Sequence, residues 1–131
     1  MPSPRLLLAL PLLLLAACAS QPKPVVTLEN ASDCAPLKLH TGQELVLILP
    51  SNPTTGFRWQ LLDAAPGILR SLGPEVYSNP EDSGVVGSAG ESSWRFRVTA
   101  AGEGALKLAY QRPWEADVAP EKTFECPLAA R

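Results

Sequence analysis

The chain has 131 residues, of which 46% are hydrophobic, so it is long enough for one domain with an adequate core. Its formal net charge of −2 gives no basic surface for a nucleic acid, and we expect no DNA or RNA partner. Fourteen prolines, and no window with the periodicity of an amphipathic helix, argue against a helical protein.

The N-terminal residues have the pattern of an export signal. Residues 1–17 contain one positive charge, Arg5, followed by an apolar core that is too short to span a bilayer stably. Leu-Ala-Ala precedes Cys18 directly, and this arrangement resembles the signal of bacterial lipoproteins, in which the cysteine is lipidated. The alternative is an ordinary secretory signal that leaves Cys18 as a free thiol.

The lipoprotein interpretation divides the chain into a signal peptide over 1–17, a lipidated tether over 18–24 and a domain over 25–131. Removal of the signal takes away one arginine and no acid, which leaves a charge of about −3. Since Ala19 is not the aspartate associated with inner-membrane retention, we expect the lipid to anchor the protein in the outer membrane of a bacterial envelope.

Short β-like runs separated by turn signals fill the domain. Residues 68–77 contain the break Gly73-Pro74 and predict a bent or interrupted edge strand, and the polar, glycine-rich residues 78–90 predict a long exposed loop. Seven or eight strands predict an all-β, two-sheet antiparallel sandwich. The other predicted strands are Val25–Glu29, Leu37–His40, Leu45–Leu49, Phe57–Asp63, Trp94–Val98, Leu106–Tyr110 and Glu121–Cys126.

Two cysteines remain after Cys18, and they lie near opposite ends of the domain. An exported protein meets an environment that permits disulfides, so we expect Cys34 and Cys126 to be bonded. In chain-entropy models, a disulfide that closes so long a loop stabilises the folded state by about 4 kcal/mol. The alternative is a pair of buried free thiols.

The residues from Pro50 to Trp59 hold a short loop with little conformational freedom. Pro53 restricts its own φ and disfavours a helical conformation at Asn52, and Gly56 can supply a positive φ. Composition alone is typical of a hairpin connection. Two uncharged hydroxyls, on Thr54 and Thr55, are nevertheless a poor catalytic set and a good contact surface.

Two further loops could contribute to such a surface. The small residues from Gly84 to Gly90 would let a partner approach the backbone closely. Arg112-Pro113-Trp114-Glu115 follows a strong strand, and Trp114 is either a core plug, which residue statistics favour, or an exposed anchor.

The residues that enzymes use are not grouped in this chain. The single histidine, His40, has no serine or cysteine at a known catalytic spacing, and no cysteine has metal-ligand spacing. No pair of carboxylates occurs in an apolar pattern. We therefore expect neither an enzyme nor a bound cofactor or metal.

Three motifs in matching order resemble the chagasin-like inhibitors of papain-like cysteine peptidases. They are Pro50-Ser51-Asn52-Pro53-Thr54-Thr55-Gly56-Phe57 followed by Trp59, then a glycine-rich loop, then Arg112-Pro113-Trp114, and the similarity runs from about Val25 to Phe124. The glycine-rich loop departs from the family's Gly-x-Gly-Gly. Ala89 adds a Cβ there that bears on affinity or target range.

The resemblance implies an immunoglobulin-like sandwich whose three loops form a wedge that enters the peptidase cleft and binds it tightly and reversibly. We expect the protein to be a monomer. Thr54 and Thr55 would lie near the catalytic residues of the peptidase, with the glycine-rich loop and Trp114 on either side. The alternative is an envelope-anchored structural or adhesive module. The implied contact residues are Asn52, Pro53, Thr54, Thr55, Gly56, Phe57, Gly87, Ser88, Ala89, Gly90, Arg112, Pro113 and Trp114.

Overall fold

A computed structural model describes residues 21–79 and 90–131. Within these ranges the chain forms nine strands and two three-residue 3₁₀ turns, at Ala31–Asp33 and Pro53–Thr55. No helix of the described chain is long and apolar enough to cross a membrane. The strands are Val25–Leu28 (β1), Leu37–Leu39 (β2), Glu44–Ser51 (β3), Arg58–Ala64 (β4), Leu69–Ser71 (β5), Val76–Ser78 (β6), Gly90–Val98 (β7), Gly102–Gln111 (β8) and Lys122–Ala130 (β9).

The strands form two sheets that pack face to face. The first sheet has the order β1-β3-β7-β5, with β6 pairing β7 as well, and the second has the order β2-β9-β8-β4. Side chains from both sheets contribute to one buried cluster. The predicted two-sheet sandwich is therefore confirmed.

The sheets are mixed rather than purely antiparallel, which corrects one detail of the prediction. β1 pairs β3 in parallel, and β2 pairs β9 in parallel. A parallel pair needs a crossover between its strands. Here the chain passes from β1 to β2 in the opposite sheet before it returns as β3.

The strand count is nine within the described residues, against the seven or eight expected. The difference arises at the predicted interrupted strand, which forms two separate short strands, β5 and β6, on the same edge of β7. The break falls at Gly73-Pro74, where proline cannot donate to the ladder.

Alternation along the strands fills the core as the sequence predicts. Trp94, Phe96 and Val98 of β7 are buried while Arg95 is exposed. A strand turns successive side chains to opposite faces, so a period of two places the apolar set inward. Other core residues are Leu28, Leu39, Leu45, Leu47, Leu49, Trp59, Leu106, Leu108, Tyr110, Phe124 and Leu128.

The predicted disulfide is present between Cys34 and Cys126, which are 92 residues apart in sequence. It ties the segment after β1 to the middle of β9. Both cysteines are buried in the core. The alternative of two free thiols is thereby wrong.

Some predicted features lie outside the described residues. These are the signal peptide, Cys18 and most of the predicted exposed loop, including Gly87, Ser88 and Ala89 of the second contact loop. Gly90 is described and begins β7.

Candidate functional site

The register of the strands brings the candidate loops to one end of the sandwich. Ser51, the last residue of β3, pairs with Gly90, the first residue of β7. Arg58 at the start of β4 pairs with Gln111 at the end of β8. The connections 52–57 and 112–121 therefore start from this end, which we call the loop end. The opposite end, where β3 begins and β7 finishes, is the base.

Asn52 organises the first loop from within. Its side-chain oxygen accepts hydrogen bonds from the backbone nitrogen of Thr54 at 3.3 Å and from the Thr54 hydroxyl at 2.5 Å. The Thr55 hydroxyl donates to the backbone carbonyl of Asn52 at 3.0 Å. Gly56 ends the turn with a φ of 83°, which is the positive value predicted for it. The loop is thus a closed 3₁₀ turn with both threonine side chains exposed.

Tyr110 of β8 holds the start of this loop from below. Its hydroxyl accepts a hydrogen bond from the backbone nitrogen of Asn52 at 2.9 Å and donates one to the carbonyl of Asn52 at 3.3 Å. The Tyr110 ring contacts both Phe57 and Trp59, with centroids 5.2 and 4.9 Å away. The indole nitrogen of Trp59 donates to the Pro50 carbonyl at 3.0 Å. Phe57, Trp59 and Tyr110 therefore pack together below the loop, and Tyr110 and Trp59 hold its start through hydrogen bonds.

Arg112 connects the first loop to the third. Its Nε donates to the carbonyl of Thr55 at 3.0 Å, and its guanidinium carbon lies 4.4 Å from the centroid of the Phe57 ring. Its terminal nitrogen lies 3.2 Å from a carboxylate oxygen of Glu115. The two loops are therefore held in one fixed relation.

Trp114 is exposed, so the core-plug interpretation is wrong. The side chain is 69% exposed, the highest value among the exposed large apolar residues of the described chain. Its ring lies over Gly56, where an added Cβ would come within 2.2 Å of the indole. Glycine at position 56 is therefore required twice, once for its positive φ and once for the close approach of Trp114.

The second loop is represented by Gly90 alone. A Cβ at Gly90 would lie 2.5 Å from the Ser78 carbonyl oxygen and 2.6 Å from the Tyr77 hydroxyl. Glycine is therefore required at this position by packing within the domain. Whether the residues before it reach a partner stays a prediction.

The sequence located the two described loops and missed what holds them. The sequence predicts Tyr110 only as the last residue of a strand, and it predicts Arg112 only as a contact residue of the third motif. Their contacts with Asn52 and Thr55 join residues 57 or 58 positions apart in sequence. The pairing of Trp59 with Tyr110 across two strands could have pointed to these contacts. That pairing becomes known only once β4 and β8 are placed side by side.

The chemistry of the loop end is that of a contact surface. The tips carry hydroxyl, amide and indole groups, and Arg112 is engaged with Glu115. In the described part of the chain no three His, Cys, Asp or Glu residues are grouped so that they could hold a metal ion. The loop end therefore presents two ordered loops and a large exposed aromatic side chain to a partner.

The sequence of the chain matches a family of peptidase inhibitors and also individual proteins. Residues 38–128 match the family described as chagasin family peptidase inhibitor I42. The chain is 34% identical to chagasin of Trypanosoma cruzi over 90 residues, which is 65% of this chain and 79% of chagasin. It is also 34% identical to amoebiasin-1 of Entamoeba histolytica over 83 residues, which is 63% of this chain and 78% of that protein.

Solved structures share the fold. The cysteine protease inhibitor EhICP2 of Entamoeba histolytica superposes with a TM-score of 0.69 at 24% identity, over 82% of this chain and 96% of that one. PbICP-C, solved in complex with falcipain-2, gives a TM-score of 0.53 at 15% identity, over 82% of this chain and 89% of that one. The predicted immunoglobulin-like sandwich is thus confirmed. With its sequence match over residues 38–128, the chain belongs to the chagasin family of peptidase inhibitors, which are not enzymes.

Proposed function

We propose that this protein is a reversible, tight-binding inhibitor of papain-like cysteine peptidases, and that its loop end occupies their active-site cleft. The observation that carries the proposal is the pair of loops, with exposed Thr54, Thr55 and Trp114, held together at one end of the sandwich in a chain of this family. The complex of a structural relative with falcipain-2 supports it.

The rigidity of the loops favours tight binding. The Asn52 hydrogen bonds, the Tyr110 hydroxyl and the Arg112 bridge order the loops before any partner arrives. A partner therefore has little conformational entropy to remove on binding. Since most affinity differences appear in the dissociation rate, we expect slow release.

The conformation of the tip explains how the inhibitor can bind without being cleaved. A peptidase attacks a peptide bond that lies extended across its catalytic residues. Residues Pro53–Thr55 form a 3₁₀ turn closed by the hydrogen bond from the Gly56 nitrogen to the Pro53 carbonyl at 3.0 Å. The tip would fill the cleft while its peptide bonds stay curled away from attack geometry.

The contact surface in this proposal joins all three loops. Trp114 would be the main anchor, because a large, exposed and well-supported aromatic residue is the type most often found as a hot spot. Thr54 and Thr55 would enter the cleft, flanked by the glycine-rich loop. The proposed set is Asn52–Phe57, Gly87–Gly90 and Arg112–Trp114.

Titration of the protein against papain and one cathepsin-type peptidase tests the function directly. We expect inhibition at one inhibitor per enzyme that is reversed on dilution, with the inhibitor recovered intact. Absence of inhibition at micromolar concentration would instead favour a structural or adhesive module of the envelope. Turnover of the inhibitor as a substrate would contradict the curled-tip mechanism.

Trp114→Ala is expected to weaken inhibition of papain by about thirtyfold or more, because truncation of a hot-spot aromatic residue costs about 2 kcal/mol or more. The melting temperature should stay near that of the parent, since the side chain is 69% exposed. Leu62→Ala is the matched control, because Leu62 is 63% exposed and lies on β4 away from the loops. Equal inhibition constants for the two variants would contradict the anchor role.

We also propose that Cys18 is lipidated and anchors the protein in a bacterial outer membrane, on the strength of the Leu-Ala-Ala-Cys motif. Cys18→Ser is expected to abolish metabolic labelling with a fatty acid and to shift the protein out of the membrane fraction. A single acyl chain binds membranes only marginally, but the lipoprotein modification supplies more than one. Labelling or membrane association equal to that of the parent would refute the proposal.

A further inference from the structure

One surface of the domain has a charge opposite to that of the whole chain. The outer face of the β1-β3-β7-β5 sheet carries Arg70, Arg95 and Arg97 in its half nearest the base. The chain as a whole has a formal net charge of −2. A local excess of positive charge attracts anionic molecules and surfaces.

The strand register places these charges in adjacent rows. Arg70 pairs with Arg97, Arg97 pairs with Glu44, and Glu44 pairs with Val25, so the four residues form one row across the sheet. Residues paired across strands point to the same face. Arg95 is the next outward residue of β7.

The row is not neutralised internally. Arg95 forms an ion pair with Glu44, and this hydrogen bond lowers the pKa of Glu44, with the charge of Arg97 contributing in the same direction. Among the described residues neither Arg70 nor Arg97 has an acidic partner within 4.0 Å. Arg97 donates instead to the Gly42 carbonyl at 3.1 Å. Within the part of the chain that the structure describes, two positive charges on this face therefore have no acidic partner.

Apolar side chains lie beside the charges on the same face. Val25 is 43% exposed and Val76 is 58% exposed, and both pair with outward residues of the sheet. Val46 and Ile48 of β3 are half-buried on this face. Arginine mixed with exposed aliphatic residues is the composition that favours the headgroup region of a membrane.

The segment that leads to Cys18 leaves the domain beside this face. The Pro24 carbonyl accepts a hydrogen bond from the Glu44 nitrogen at 2.9 Å, and the Lys23 carbonyl accepts one from the Gln43 side chain at 2.7 Å. Lys23 adds a further positive charge there. The seven steps from Cys18 to Val25 span at most about 25 Å even when fully extended. A lipid on Cys18 would therefore keep this face close to the bilayer.

We propose that this basic face, formed by Arg70, Arg95, Arg97 and Lys23, docks on the anionic phospholipid headgroups of the membrane that carries the protein. Each basic residue near an anionic surface contributes attraction that decays within a Debye length. A short tether adds to this attraction, because it holds the face near the bilayer. The loop end lies at the other end of β3 and β7 and stays free to meet a peptidase.

Arginine footprinting tests the contact on the full chain. The protein is reconstituted in vesicles of phosphatidylcholine alone or mixed with phosphatidylglycerol, treated with phenylglyoxal, and analysed by peptide mass spectrometry. We expect Arg70 and Arg97 to react several-fold more slowly in the anionic vesicles. Arg58, exposed at the loop end, should react equally in both and is the internal control. Equal rates for Arg70 and Arg97 in both vesicle types would overturn the proposal.

A charge-matched pair of variants tests the same face without the lipid. All nine strands and the disulfide lie within residues 25–130, so the chain from residue 18 with Cys18→Ser keeps the described core. In this background, Arg70→Gln with Arg97→Gln is expected to weaken sedimentation with anionic vesicles by about thirtyfold. Lys38→Gln with Lys107→Gln removes the same charge from the outer face of the other sheet and should leave binding near the parent.

The melting temperature and the inhibition of papain are measured for both double variants, because Arg97 also bonds to Gly42. Inhibition should be unchanged in both, since the basic face is remote from the loop end. Equal loss of vesicle binding in the two double variants would overturn the proposal. Binding of a soluble acidic protein to the basic face, with no binding of anionic vesicles, would also overturn the proposal.

Discussion

Thr54→Trp is expected to weaken inhibition of papain by about a hundredfold or more. The Thr54 side chain lies at the exposed tip of the first loop and donates its hydroxyl proton to Asn52 at 2.5 Å. Tryptophan removes this bond and enlarges a tip that is proposed to enter a narrow cleft. Overpacking of a close-fitting site typically costs 1–3 kcal/mol and occasionally more. The measurement is the inhibition constant at fixed ionic strength.

Smaller changes at Thr54 separate size from hydrogen bonding. Thr54→Ser keeps the hydroxyl that bonds to Asn52 and should inhibit nearly as well as the parent. Thr54→Ala loses that bond and should fall between Ser and Trp. Circular dichroism should be alike for all three, because residue 54 is exposed. If Thr54→Trp inhibits as well as the parent, the first loop does not enter the cleft.

Removal of the disulfide is expected to have the largest effect on stability. Cys34→Ala with Cys126→Ala opens a cross-link between residues 92 apart, which chain-entropy models value at about 4 kcal/mol. For a domain of about 100 residues, 1 kcal/mol shifts the melting temperature by about 4–8 °C, so a fall of more than about 15 °C is expected. Calorimetry or thermal circular dichroism measures it.

Two controls separate the cross-link from the loss of buried sulfur. Wild-type protein reduced with a thiol keeps both side chains and should melt almost as low as the double variant. The double variant should still inhibit papain at temperatures where the variant stays folded, because Cys34 and Cys126 lie away from the loop end. A melting temperature that is the same for oxidised and reduced protein would contradict a stabilising role for the bond.

The sequence by itself determined the local conformation of this protein. Alternation of Trp94, Phe96 and Val98 predicted an inward face, because a period of two is a property of the single strand. Gly56 was predicted to adopt a positive φ, which follows from its lack of a Cβ, and the value is 83°. Family motifs supplied the candidate contact residues, and two cysteines in an exported chain sufficed to predict the bond between them.

Only the tertiary structure decided how these local pieces meet. The exposure of Trp114, the Arg112 bridge to Thr55 and the Tyr110 bonds to Asn52 depend on β8 lying beside β4 and ending at the same edge. The parallel pairs and the row of Arg70 and Arg97 likewise depend on strand order. Register between distant strands is set by burial of the whole sheet, and no short stretch of sequence encodes it.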